Sequence, residues 1–393
     1  VSAHAGSFAA GLSRRPEPAA AAAEAAAQVV DAVGEEPTAV AVFATPDLMA
    51  DADAVLDGVS RHLAPGSLIG CSGEAIIAAG QEIEDPPALA IWAARLPAPA
   101  TVLDLAARPD EDGVEIDGLP DDLGDRPRVV VMLADPFTFP VDAALALIDE
   151  RFPGTLVIGG LASGGRGPGE HRLLADGQIR SDGAVALVLD ATGIQTVVSQ
   201  GCRPVGPDMV ITDADGPVVH ELASRPALTR LQELVDGAEE QERELIAGGV
   251  LAGLVIDENR PDYRQGDYLV RGVRGTDGEL GALLLGERVR VGQTMRFQVR
   301  DAETAGADLR AALRAGEQRL GAAPGAALLF SCNGRGARLF GPVDHDPSVV
   351  GEELGEFPTV GFFCNGEIGP VGGRNFLHGF TASLLLFKEV SGE

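Results

Sequence analysis

The feature that most constrains this chain is a unit of strand, proline, helix, turn, strand and glycine that occurs twice, 90 residues apart. In the first copy an apolar run at 39–45 stops at Pro46, helical spacing follows over 48–63, Gly66 breaks it, and 67–71 is apolar again. In the second, 128–134 ends at Asp135-Pro136, 141–152 has helical spacing, Pro153-Gly154 turns the chain, and 155–159 is apolar. Short apolar runs bounded by proline and glycine are buried strands rather than helices. Gly160 follows Gly70 by the same interval as Pro136 follows Pro46, and each copy reaches a Ser-Gly pair, Ser72-Gly73 or Ser163-Gly164. The pattern reads as an internal duplication of one α/β unit. A further strand is expected at 88–94 and a helix over 17–33, with Gly34 just past its end.

From Gly183 the texture changes to short strands separated by glycine and aspartate turns, at 184–189, 196–200, 209–212, 268–273, 282–285 and 295–299. That spacing suits an antiparallel sheet. Helices are predicted over 223–235, 239–246 and 303–320, and the chain closes with strands at 326–332, 359–363 and 381–387. A chain of 393 residues exceeds one ordinary core. The expected fold is therefore α/β (mixed α+β), in two domains with mixed sheets flanked by helices, and with internal α/β repeats in the N-terminal half. The boundary is placed near residue 200, giving domains 1–200 and 201–393.

Charge removes several classes of function. Fifty-nine acidic side chains oppose 30 basic ones, a net −29, and such a field repels phosphate backbones and anionic membranes. Neither nucleic acid nor membrane is an expected partner. No run approaches the ~20 apolar residues of a membrane span, and no basic segment followed by an apolar one opens the chain, so a cytoplasmic location is expected. Four cysteines without a CxxC pair argue against both a disulfide scaffold and a structural zinc. Asp344-His345-Asp346 reads as a solvated turn rather than a metal site, and no cofactor is expected.

Three of the four cysteines share a spelling. Cys71-Ser72-Gly73-Glu74, Cys332-Asn333-Gly334-Arg335 and Cys364-Asn365-Gly366-Glu367 each follow an apolar strand. Glycine at a strand end lets a ligand approach the backbone, successive amides can form an anion nest, and the charge that follows can face the ligand. The competing reading is three ordinary turns with small buried thiols. The three turns are expected to converge on one cleft. Arg335, just past a glycine turn, is expected to fork onto a ligand carboxylate rather than pack in a core. Ser163-Gly164 forms a further glycine loop, and Asn375 and His378 lie close behind Gly372 and Gly373. Arg271, ending an apolar run, calls for a carboxylate partner or an anionic ligand group.

These residues resemble a known family. YLVRGV (268–273), ALLFSCNGRG (327–336), VGFFCNGEIGPVGG (360–373) and NFLHGFTASLLLF (375–387) are similar to the C-terminal half of the FIST family. LIGCSGE (68–74), VIGGLASGG (157–165) and CRPVGP (202–207) are similar to its N-terminal half. FIST domains are the sensory domains of bacterial signalling proteins and eukaryotic F-box proteins. The resemblance implies a FIST N domain, a FIST C domain and a small ligand, an amino acid being the candidate. Without a recognisable output segment, the protein would act through a signalling partner. An α-amino acid would suit Glu74 or Glu367 for its ammonium and Arg335 for its carboxylate. The alternatives are a thiol enzyme using Cys332 with His378 as base, and an interaction adaptor.

Overall fold

Strands such as Ala39–Ala44, Leu89–Ala94 and Thr359–Cys364 are buried along their whole length, so each must be covered on both faces. The computed structural model, which describes residues 7–110, 113–124 and 126–389, shows how. By its contacts the chain divides into two units. One runs up to Val198 and resumes at Leu309–Leu377 and from Thr381; the other is Ser199–Asp308 with His378–Phe380. The segment from 309 onward, expected in the second domain, therefore packs largely with the first. The α/β class and the presence of two domains hold.

The first unit contains the repeat three times rather than twice. Its parallel pairs are Ala39–Ala44 with Leu68–Ser72, Arg128–Ala134 with Leu156–Leu161, and Pro324–Cys332 with Thr359–Cys364. Each first strand is flanked on its other edge by an antiparallel strand of its own repeat: Leu89–Ala94, Ala184–Asp190 and Thr381–Lys388. Ile194–Gln200 joins the edge of the third sheet, and the second unit begins in the last residues of that strand and ends within the helix Ala302–Leu320, ahead of the third parallel pair. The insertion separates the third copy from the others and hides its period in the sequence.

Each repeat also sends a hairpin to a neighbour's sheet. Ile76–Ala78 with Gln81–Ile83 extends the third sheet, Leu173–Ala175 with Gln178–Arg180 extends the first, and Glu367–Val371 with Arg374–His378 extends the second. The exchange runs in a closed cycle. Inner faces of the three sheets meet in one core that includes Phe43, Trp92, Leu133, Ile158, Phe330 and Phe362. The outer faces are covered separately, the first sheet by Pro18–Val33 and Ala52–Ser60, the second by Val141–Arg151, the third by Ala302–Leu320 and His345–Leu354. Alternate residues of one strand divide between the layers: Ala41 and Phe43 face inward, Val40 and Val42 outward.

Register locates the signature glycine of the repeat. Gly70 pairs with Val42, Gly159 with Met132 and Gly361 with Leu329. At all three a Cβ would overlap the carbonyl oxygen of that partner, so only glycine permits the approach. Gly159, not Gly160, is the counterpart of Gly70.

Two local expectations change. The helix over 48–63 is two pieces, Pro46–Met49 and Ala52–Ser60, because Asp51 leaves the helix and caps the second through Ala54 N at 3.2 Å. The segment 209–212 is part of one long strand, Cys202–Asp215. In the second unit that strand pairs with Thr294–Arg300 on one edge and Val218–Leu222 on the other. With Val250–Val255, Tyr268–Asp277 and Ala282–Leu285 the antiparallel ring closes on itself around Val205, Leu254, Leu283 and Phe297.

Gly361→Ala should cost at least about 2 kcal/mol in urea unfolding. Gly351→Ala, in the helix His345–Leu354 where a Cβ meets nothing within 4 Å, should be neutral or gain up to ~1 kcal/mol. Equal effects at the two positions would contradict the close approach.

Candidate functional site

The repeats meet where their second strands end, and backbone hydrogen bonds lock them in a ring. Ser163 N donates to Ser72 O at 3.1 Å and Asn365 N to Leu161 O at 3.1 Å. The third link uses a side chain: Ser163 Oγ accepts from Glu74 N at 2.7 Å and donates to the Phe363 carbonyl. A second round is formed by Phe363 N to Ala75 O and Leu161 N to Gly366 O, both 2.9 Å. The turns expected to converge are therefore hydrogen-bonded neighbours, and Ser163-Gly164 belongs with them.

They are not copies of one another, however. By register Cys71 corresponds to Phe362, and Cys364 lies two residues further along its strand; Cys332 ends a first strand. The shared spelling is thus not a shared position. Cys71 and Cys364 face the central core and are fully buried. Burial pushes both thiols well above their ordinary range, with Glu367 and the other two thiols adding to the effect at Cys364.

Three residues past the partner of each signature glycine, the first strands carry Thr45, Asp135 and Cys332. Two of these three ends are closed. Thr45 Oγ1 exchanges hydrogen bonds with both backbone groups of Ala88. Asp135 Oδ1 caps Phe137 N and Thr138 N, and its Oδ2 accepts from His171 Nδ1 at 2.8 Å. His171 Nε2 in turn accepts from Gly165 N at 3.1 Å, fixing the glycine loop.

The third end is different. Arg335 is fully buried and forked onto Asp346, Nε to Oδ2 at 2.8 Å and Nη2 to Oδ1 at 2.7 Å. Ser331 Oγ donates to Asp346 Oδ2 at 2.7 Å, and Arg335 also lies over the Phe340 ring. The expectation that Arg335 stands outside the core is corrected: its fork is taken by a partner eleven residues downstream. Asp346, read as part of a solvated turn, is buried in the first turn of His345–Leu354. Burial alone would raise its carboxyl, but the Arg335 charge and the bonds from Arg335, His345 and Ser331 hold it far below the usual carboxylate range.

Glu367 completes this end. Its Oε2 accepts from Thr381 N at 3.0 Å and Thr381 Oγ1 at 2.9 Å. Burial pushes its carboxyl up to about 8 despite those bonds and the nearby Cys332 thiol and Arg335 charge. Cys332 Sγ accepts from Gly334 N at 3.4 Å. Three buried polar atoms here have no hydrogen-bond partner: Asn333 Oδ1, Arg335 Nη1 and Glu367 Oε1. Ser383 Oγ, one pleat beyond Thr381 on the same strand, is a fourth. Among the described residues, the first two strand ends carry no such atoms.

Other expected site residues have structural partners. Glu74, half-buried, pairs with the exposed Arg338 at 2.7 Å. Asn375 is buried and stitches strands, accepting from Val157 N at 2.7 Å and donating to Asp149 Oδ1 at 2.6 Å and Thr155 O at 2.9 Å. Asn365 is exposed. Arg271 has its carboxylate partner, Glu287, within the second unit, and His378 is buried and groups with that unit. Asp346, Thr381 and Ser331 were missed; an arginine after a buried strand, needing a counter-charge, was the available signal for Asp346. Among the described residues no group of three or more His, Cys, Asp or Glu is disposed to hold a metal.

Comparison with known proteins places this arrangement. A FIST N domain matches residues 38–225, and a FIST C domain matches 227–370. The chain belongs to the FIST family. It is similar to an uncharacterised protein of Mycobacterium bovis, 42% identical over 384 residues that cover 96% of this chain and 98% of that protein. It is also similar to an uncharacterised protein of Mycobacterium tuberculosis, 42% identical over 380 residues that cover 96% and 99%. FIST domains are generally regarded as sensory, signal-transduction domains. The FIST N match ends inside the inserted unit and the FIST C match begins there, so the two sequence families do not coincide with the two structural units. No described helix of this FIST protein is long and apolar enough to cross a membrane.

Glu367 links stability to pH. Between the ordinary carboxyl value of 4.5 and about 8 the folded chain keeps a proton that the unfolded chain releases. Its stabilising contribution is present in full below the lower value and is lost as pH rises through the upper. Glu367→Gln, a neutral isostere of the protonated form, should raise the melting temperature by ~2–4 °C at about pH 9 and by much less at about pH 5. The same increment at both pH values would show that Glu367 is ionised throughout.

Proposed function

We propose that this FIST protein is a sensory, ligand-binding protein that holds a small molecule bearing a carboxylate and a neighbouring amine, an α-amino acid being the simplest case. The site would be the open strand end formed by Cys332, Asn333, Arg335 and Glu367. The observation that carries the reading is the set of buried atoms there without partners, since burying polar groups unpaired costs about 1–3 kcal/mol each and a ligand that pairs them recovers that cost.

The chemistry of those atoms suggests an orientation. Thr381 N occupies Glu367 Oε2, so the proton retained near neutral pH belongs on Oε1, which then donates. Arg335 Nη1 also donates. Two donors suit a carboxylate, and Asn333 Oδ1, an acceptor, suits the amine. This reverses the role expected for Glu367, because a protonated carboxyl is a poor counter-ion for an ammonium. Glu74 is engaged by Arg338 and leaves the site. Binding would be passed to a partner protein, since a ligand that pairs these atoms favours one arrangement of the strand ends over others.

Calorimetric titration with a panel of α-amino acids, and with the matching amines that lack the carboxylate, tests this. An amino acid should bind and its decarboxylated analogue should not. Asn333→Ala should weaken binding roughly tenfold, a loss of about 1.4 kcal/mol, with little change in melting temperature. In the parent, affinity should fall as pH rises through about 8, and Glu367→Gln should keep affinity while flattening that dependence. Affinity that rises with pH across this range would mean that an ionised Glu367 takes the ammonium, and this reading would be wrong.

A further inference from the structure

The hairpin exchange closes the three sheets at one end only. At the other, where the parallel strands begin, a cavity of about 380 Å³ opens, within the size range of small-molecule sites. All three sheets contribute to it: Phe8 from the first, Asp190 from the second, Ile194, Phe387 and Lys388 from the third. Phe8 and Phe387 form an aromatic floor with ring centroids 5.5 Å apart, and Trp92 packs against both, at 6.0 and 4.8 Å.

Among the described residues, the rim has one cation to spare. Arg126 is engaged by Asp190 at 3.3 Å, and the Thr192 side chain, together with Thr192 N donating at 3.0 Å, holds the Asp190 carboxyl down at about 2. Lys388, the chain's only lysine, has no ion-pair partner among the described residues and lines the mouth. We infer that this cavity is a second ligand site, for a monocarboxylate with an apolar body of roughly ten carbons, which a cavity of this size accommodates, its carboxylate paired with the Lys388 ammonium. A single charge fits because, among the described residues, the site offers one unengaged cation in a chain of net charge −29, which disfavours multiply charged anions. Glu389, beside Lys388 at the rim, opposes the ligand charge and limits affinity. The inference is independent of the Glu367 site, which lies at the opposite ends of the strands.

Trp92 is the only tryptophan, so its emission reports the floor directly. Titration of the full chain with decanoate, followed by Trp92 fluorescence, should give a saturable change. Lys388→Met should weaken binding roughly fivefold, Glu389→Gln should tighten it, and decanol should bind less well than decanoate. Ala98→Phe, which fills the cavity from its lining, should abolish the response. Decanoate should also protect Lys388 from amine acylation, read by mass spectrometry. No saturable change, decanol equal to decanoate, or a response that survives Ala98→Phe would each overturn the inference, and α-amino acid binding at Glu367 would be untouched by any of them.

Discussion

Everything in the first unit depends on a ring of hydrogen bonds between the ends of three strands that belong to three repeats. A parallel pair cannot be joined by a tight turn, so each repeat carries its chain around by a helix and arrives at the ring from the same direction. Beyond the ring the chain does not return to its own sheet but adds a hairpin to the next. Three such exchanges close in a cycle, so no repeat can leave without breaking sheets in two others. Backbone groups join every pair of repeats, and the Ser163 hydroxyl adds a side-chain link that touches the other two at once, accepting from Glu74 N and donating to Phe363 O.

That arrangement explains why the candidate site falls at the third strand end. Three strand ends arrive at equivalent places, so the same position is available three times. In the first repeat Thr45 turns back on the Ala88 backbone, and in the second Asp135 is consumed by His171 and two amides. Only in the third does a buried ion pair, Arg335 with Asp346, stand beside polar atoms that remain unmatched. Removing either partner of such a pair would strand a buried charge at a cost of about 3–5 kcal/mol, so its first role is to hold the shape of the strand end.

Much of the fold was legible because buried strands bounded by proline and glycine have few alternatives. Pro46 and Pro136, and the helices after them, mark two repeats directly. The third escaped because an inserted barrel separates its leading strand at Ile194–Gln200 from its helix at Ala302–Leu320. Strands of three residues, such as Ile76–Ala78 and Leu173–Ala175, are too short to carry a period. The site was legible in part. Cysteine, Asn or Ser, and glycine do mark strand ends, and the turns at residues 71–74, 163–164, 332–335 and 364–367 do meet. Register, which sequence spelling does not encode, separates Cys71 from Cys364. Tertiary pairing, not local sequence, gives Arg335 to Asp346 and Glu74 to Arg338.

The cyclic exchange, with Ser163 as its side-chain link, is most directly tested by hydrogen exchange on Ser163→Ala, read by mass spectrometry over 68–78, 156–164 and 359–371. Loss of the hydroxyl leaves Glu74 N and the Phe363 carbonyl unpaired, a cost of about 1–3 kcal/mol. Because the three strand ends hold one another, protection should fall at all three segments together and by similar factors. Loss confined to 156–164, with the other two strand ends protected as in the parent, would contradict the account.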